Sequence, residues 1–188
     1  MNLNYRDNIL NELKEWLYSV SDEDINKLIS QIAISRNIVG YGAGRMGLSL
    51  KAFMMRLNHL GKKAYFYTDT FVPAVNSHDL YIFASGSGET KTVLNIAELA
   101  KNKDCKIACI TGNSDSSLAQ ISDLIINFKS CNGGLNAPDS PDKINSIQLM
   151  STLNEQGTYL LYDLIVRRYC DIAKLDLKEL KKYHNNVE

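Results

Sequence analysis

The chain has 188 residues, of which 45% are hydrophobic and 22% charged, and its 21 Lys+Arg balance 21 Asp+Glu. That length suits one domain with its own buried core, the composition argues against global disorder, and the balanced charge gives no broad attraction for nucleic acid or an anionic membrane. The N-terminus, Met-Asn-Leu-Asn-Tyr-Arg-Asp, has no apolar signal core, and no run of about 18 apolar residues occurs, so neither a secretory signal nor a spanning helix is expected.

Residues 4–35 read as two helices. Leu10, Leu13 and Leu17 share a face with Trp16 beside them, and Ser21 then N-caps a second helix whose first turn carries Asp22, Glu23 and Asp24. Ile25, Leu28, Ile29 and Ile32 continue it at i, i+3, i+4, i+7 spacing. At Asn37–Tyr41 a short apolar run predicts a buried strand, followed by a helix over 44–60 that Gly61 is placed to end. Further strands are predicted at 64–68, 79–84, 106–110 and 123–127. Helices are predicted from about Thr90 to Lys101 and over 116–121. Residues 129–146, rich in Gly and Pro, read as a mobile loop; a long helix from Ile147 to Cys170 and a short one over 176–182 follow. Strands alternating with helices predict an α/β fold: a five-stranded parallel sheet in a three-layer, doubly wound sandwich, with added N- and C-terminal helices. The organisation is a single domain over 1–188, with N-terminal helices to 35, a βα core over 36–128, the loop, and C-terminal helices from 147.

Six of the 11 glycines fall in two windows, Gly40, Gly42, Gly44 and Gly47 at the end of one predicted strand, and Gly86 and Gly88 after another, each opening a predicted helix. In such a sheet both windows lie at the carboxyl edge, where ligands bind. Gly42-Ala43-Gly44-Arg45-Met46-Gly47 fits the dinucleotide pattern, but that pattern also needs an acid about 20 residues on, and the nearest candidate, Asp69, lies farther along among threonines. A nicotinamide site and a tight strand-to-helix turn both remain open. The second window, Ser85-Gly86-Ser87-Gly88-Glu89-Thr90, places three hydroxyls at a helix start, where unpaired amides bear partial positive charge. Capping needs only one hydroxyl. The loop is read as a cradle for a phosphate monoester, with Ser85, Gly86, Ser87, Gly88 and Thr90 as its residues. It has no lysine after its second glycine and is not a nucleotide P-loop. A third turn, Thr111 to Ser117, either lines the same pocket or caps the helix at Ser116.

Cys105, Cys109, Cys131 and Cys170 form no CxxC pair and stand at no ligand spacing from His59, His78 or His184. No metal or cofactor is expected. Cys109 reads as a buried strand residue, and reduced thiols in the cytoplasm are the simplest reading.

Together these residues resemble the sugar isomerase (SIS) domain family, most closely its 6-phospho-3-hexuloisomerase branch. The resemblance rests on Gly42-Ala43-Gly44-Arg45-x-Gly47, Phe53-Met54-Met55-Arg56-Leu57-x-His59-Leu60-Gly61 and the Ser85–Thr90 loop. Ile147-Gln148-x-Met150, Leu153-x-Glu155-Gln156 and His184-x-Asn186-x-Glu188 extend it. The resemblance implies a metal-independent isomerase that interconverts a 3-keto hexulose 6-phosphate and fructose 6-phosphate. It also implies a phosphate held by Ser85, Ser87 and Thr90, and a homo-oligomer, tetramer or dimer, with sites at subunit boundaries. Arg45, His59 and Glu155 stand at the family's candidate catalytic positions, and Gly44, Arg45 and Met46 beside the sugar. Met46 replaces the serine usual in the branch, and Leu149-Met150-Ser151-Thr152-Leu153-Asn154-Glu155 replaces its Pro-Met-Gly-Ser/Thr-Leu-Phe-Glu run.

Moving a carbonyl between adjacent carbons passes through an enediol, which needs a base and a stabiliser for the developing oxyanion. Glu155 is the candidate base and Arg45, permanently charged, the candidate stabiliser. His59 is the candidate proton shuttle and His184 a second one. A non-catalytic sugar-phosphate sensor on the same fold is the alternative function. The tyrosines of Tyr65-Phe66-Tyr67, Tyr159 and Tyr162 are read as core or subunit contacts.

Overall fold

The computed structural model describes residues 4–131 and 143–176. Two helices, α1 (Tyr5–Tyr18) and α2 (Asp22–Ile34), lead into β1 (Ile38–Gly42), α3 (Gly44–His59) and β2 (Ala64–Phe66). Then come β3 (Leu80–Ala84), α4 (Lys91–Lys101), β4 (Lys106–Thr111), α5 (Ser117–Ile121), β5 (Leu124–Asn127) and α6 (Thr152–Ile172). The five strands form one sheet in the order β2-β1-β3-β4-β5, and each neighbouring pair is parallel. The α/β class, the five parallel strands and the flanking helices agree with the sequence reading.

The strands are buried on both faces, which is why they read as unbroken apolar runs. Alternate residues feed two cores. Ile38, Leu80, Ile82, Ala108 and Ile110 join α1, α2, α3 and α6 on one face. Val39, Tyr81, Phe83, Ile107 and Cys109 join α4 and α5 on the other. Strand order leaves β1 in two directions, toward β2 and toward β3, and right-handed crossovers put the connecting helices on opposite faces. The β2–β3 connection has no helix; Val72 and Val75 of that loop pack on the α4/α5 face in place of one.

At the amino edge of the sheet the fully buried Asp79 ties β1 to β3. It accepts from Arg36 Nη2 (2.7 Å) and Nε (3.1 Å), Asn37 N (3.0 Å) and Nδ2 (2.9 Å), and Asn76 N (2.8 Å). Burial works to raise its pKa, but these donors outweigh it and hold the carboxyl below its ordinary value. Cys109 packs in β4 as expected, and burial pushes its thiol up to about 11.

Several predicted details differ. On α1 the buried residues are Glu12 and Trp16, whereas Leu10 is exposed. β2 ends at Phe66 because Asp69 turns the chain, accepting from Phe66 N (2.9 Å). α6 begins at Thr152, not Ile147. The reason is Glu12, whose carboxylate accepts from Ser146 Oγ (2.7 Å), Ile147 N (2.8 Å) and Gln148 Nε2 (3.0 Å) and so pins that segment outside any helix. Met150, at φ 46°, breaks the chain direction just before α6. The buried stripe of α6 runs through Leu153, Gly157, Leu161 and Ile165, whereas Leu149, before the helix, and Leu160 are exposed. Gly157 is required there because a Cβ would lie 2.3 Å from the Trp16 ring.

The expected loop over 129–146 has pinned flanks. Lys129 N donates to Ser19 Oγ (2.9 Å), and Cys131 bridges to Ile144. Its middle, 132–142, and the predicted helix over 176–182 beyond Asp176, lie outside the described residues.

Candidate active site

The 2-1-3-4-5 strand order reverses between β1 and β3, and a crevice opens there at the carboxyl edge of the sheet. A pocket of about 280 Å³ occupies it. One wall is the β1–α3 turn (Ala43–Met46), another the β3–α4 loop (Ser85, Gly86, Ser87, Thr90), and the third the start of α6 (Ser151, Asn154, Glu155). Ser130 also lines it. Seven of the residues singled out from sequence therefore meet in one cavity: Gly44, Arg45, Ser85, Gly86, Ser87, Thr90 and Glu155, with Met46 beside them.

The β1–α3 turn is shaped by close packing. A Cβ on Gly47 would lie 2.0 Å from Gly42 O, so glycine lets the first turn of α3 sit directly on the end of β1. Gly44 opens that helix at φ 56°. Asp69, the acid a dinucleotide site would need, accepts from its own turn and pairs with Lys51 (3.3 Å). The glycine pattern is thus accounted for by helix–strand packing.

In the β3–α4 loop the hydroxyls face one another across the cradle. Ser85 Oγ lies 3.0 Å from Thr90 Oγ1, and Ser87 Oγ accepts from Glu89 N (3.2 Å). One hydroxyl hydrogen is used between Ser85 and Thr90, which leaves two O–H donors for a ligand. Thr90 makes no capping bond with its side chain, so the first N–H groups of α4 are not capped by it. Gly88 is a correction to the expected donor set. Its N–H is committed to Ser85 O and Oγ (both 3.1 Å). Its role is the φ 67° turn and a close approach to Ser116, which a Cβ would strike at 2.0 Å. The Thr111–Ser117 turn does not line the pocket; Ser116 caps α5 through Ala119 N (3.3 Å).

Glu155 is delivered by the first turn of α6. Its side chain is 12% exposed; Arg45 Nε donates to Oε2, and Ser151 Oγ donates to Oε1 (3.2 Å). Thr158 donates to Glu155 O (2.9 Å) and touches Met46 Sδ (3.8 Å). Met46 is buried and packs as an apolar floor. A carboxylate, a guanidinium and a loop of neutral hydroxyls thus converge on one small space.

His59 does not join them. It ends α3, whereas Arg45 begins it, and 1.5 Å per residue puts them about 20 Å apart along the axis. Within its own chain His59 is not a proton shuttle for this pocket. His184 lies outside the described residues. Ser130 and Asn154 were not anticipated. Ser130 arrives through the chain path after β5, which carries no sequence signal; Asn154 was visible only as a polar neighbour of Glu155. Tyr162 is buried and stacked on Phe53 (4.7 Å between centroids), and Tyr159 is half exposed. Among the described residues no group of three His, Cys, Asp or Glu could hold a metal ion, and no helix is long and apolar enough to cross a membrane.

Comparison with known proteins agrees with this geometry. The SIS domain model matches residues 31–132. A 3-hexulose-6-phosphate isomerase of Bacillus subtilis (strain 168) is 36% identical over 96% of this chain and 95% of that protein. A crystal structure from Methanococcus jannaschii, described as inferring a molecular function of 3-hexulose-6-phosphate isomerase, superposes with a TM-score of 0.81 at 31% identity, covering 99% of this chain and 100% of that one. The Vibrio vulnificus NanR protein complexed with ManNAc-6P shares the fold at 20% identity and a TM-score of 0.72, covering 95% of this chain and 64% of that one. With its glycine turn, its hydroxyl loop at the strand-order reversal and these relatives, the chain belongs to the SIS domain family.

Proposed function

We propose that this protein is a phosphosugar isomerase that interconverts a 3-keto hexulose 6-phosphate and fructose 6-phosphate. The observation that carries the reading is the meeting of Glu155 and Arg45 opposite the Ser85–Thr90 loop in one pocket. The relatives named for that reaction support it.

The chemistry follows from the placement. The loop and the N-terminus of α4 hold the phosphate through neutral donors, which fixes the carbon chain against Glu155. In the 3-keto sugar the C2 hydrogen is acidified by the C3 carbonyl. Glu155 takes that proton, the C2–H electron pair becomes the C2=C3 double bond, and the carbonyl pair moves onto O3. Arg45 neutralises the resulting enediolate oxygen. Glu155 then returns its proton to C3, the C2 hydroxyl becomes the carbonyl, and its proton passes to O3. No electrons leave the sugar. Ser151 holds the Glu155 carboxylate in place while Arg45 turns to the substrate.

The reading includes a homo-oligomer acting in the cytoplasm. A second cavity beside Arg45 and Glu155 is lined by the exposed Leu48 and Tyr159, which supports a subunit boundary at the site. Light scattering on the purified protein tests it, a monomer at micromolar concentration being the contrary result.

A melting screen tests the substrate class. A ligand at 100 times its Kd stabilises by about 2.7 kcal/mol, or about 5–10 °C for a chain of this size. Fructose 6-phosphate is expected to give such a shift and to be turned over. Stabilisation by a nicotinamide dinucleotide and none by hexose phosphates would overturn the reading.

A further inference from the structure

Among the described residues Arg45 is the only cation lining the pocket, and it is already paired with Glu155. A doubly charged ester group therefore depends on uncharged N–H and O–H donors, and a further one stands beside the loop. Asn154 is 3% exposed, yet its side chain lines the pocket. Its Oδ1 accepts from Trp16 Nε1 at 3.2 Å. An indole N–H can only donate, so the atom facing it must be the amide oxygen, and the orientation of the amide is settled. The Nδ2 hydrogens consequently point away from Trp16 and toward the loop, where a Cβ built on Gly86 would lie 3.7 Å from Nδ2. Among the described residues none accepts from Nδ2. A nearly buried amide with its acceptor satisfied and its donors unspent faces the place where the anion is held.

We propose that Asn154 Nδ2 donates directly to the phosphate of the bound sugar, as a side-chain donor additional to Ser85, Ser87 and Thr90, and that Trp16 is the positioning residue that aims it. This rests on the sugar-phosphate reading of the pocket. It gives the single tryptophan of the chain a role at a site it does not touch. It also splits the labour of two consecutive residues of α6: Asn154 holds the ester end, and Glu155 works on the carbons.

The test uses inorganic phosphate and fructose 6-phosphate as probes. Asn154→Asp keeps the acceptor for Trp16 and nearly the same shape, but replaces the donor with a negative oxygen. It is expected to fold, to bind inorganic phosphate about ten- to a hundredfold more weakly, and to raise KM far more than it lowers kcat. A purely structural role would lower Tm and leave phosphate affinity per folded molecule unchanged. In the wild-type protein the Asn154 side-chain amide signals, identified through their proximity to the sole indole proton, are expected to shift on adding inorganic phosphate; this readout stands even if the variant fails to fold. Wild-type protein that binds neither probe would overturn both the pocket reading and this one. Wild-type binding with unmoved Asn154 signals, or with a folded Asn154→Asp protein of equal affinity, would overturn the role of Asn154 alone.

Discussion

The packing of α3 on β1 can be tested through two glycines three residues apart. At Gly47 an added Cβ would meet Gly42 O at 2.0 Å and Gly42 C at 2.7 Å. Ordinary contact begins near 3.4 Å, and both atoms are backbone, so no side chain can swing aside. Gly47→Ala must lift the first turn of α3 off the strand by more than 1 Å, and Arg45 and Met46 move with it. Overpacking of this kind costs about 1–3 kcal/mol, and displacement of an oriented group by about 1 Å can cost about a hundredfold in rate. Gly44 is the control. An alanine Cβ there meets nothing within 4 Å, and only the φ of 56° opposes it, for about 1–2 kcal/mol. Urea denaturation gives the two stabilities, and kcat/KM on fructose 6-phosphate gives the two activities. Gly47→Ala is expected to lose activity far out of proportion to its stability, and Gly44→Ala in proportion or less. Wild-type activity in Gly47→Ala would refute the idea that this contact positions Arg45.

Other outcomes follow from individual contacts. Ser87→Ala removes a donor and one Glu89 N contact, and Ser85→Ala removes a buried hydroxyl together with its bond to Thr90 and the side-chain half of the Gly88 N bond. Both are expected to weaken phosphate binding in a titration, but only Ser85→Ala to lower Tm markedly. Asp79→Ala leaves the Arg36, Asn37 and Asn76 donors without their acceptor. It should cost about 3–5 kcal/mol by denaturant unfolding, with ligand affinity per folded molecule intact, because the site lies at the other end of the strands. For acid, burial raises the Glu12 pKa, but the bonds from Ile147, Gln148 and Ser146 lower it further, and Asp79 is lowered likewise. Depressed folded values mean that this stabilisation is complete above the ordinary carboxylate values of 4.5 and 3.8 and fades as pH falls through the lowered ones. Unfolding free energy measured from pH 7 to pH 3 should therefore decline below about pH 4.5, and more gently in Glu12→Gln.

Much of this architecture is written locally in the chain. Strands covered on both faces leave continuous apolar runs, and Ser85–Thr90 carries its own helix start, so both were legible. Glu155 was reached only through resemblance, since a glutamate on a helix is otherwise an ordinary solvated residue. What was not legible depends on distant partners. The start of α6 is set by Glu12, more than 130 residues earlier in the chain, and periodicity cannot see a carboxylate capturing backbone amides. Asn154 acquires its meaning from Trp16 in the same way. The placement of His59 differs in kind. The predicted helix over 44–60 already separated it from Arg45 by nearly four turns, so within one chain the two do not share a pocket.

The central claim is that Glu155 moves a proton between C2 and C3 of a sugar anchored by its phosphate. Incubating fructose 6-phosphate with the protein in heavy water and locating the label by NMR tests it directly. Wild-type protein should place deuterium at C3 and not at C1, and Glu155→Gln should place none while still binding inorganic phosphate. Undiminished C3 labelling by Glu155→Gln would contradict the account.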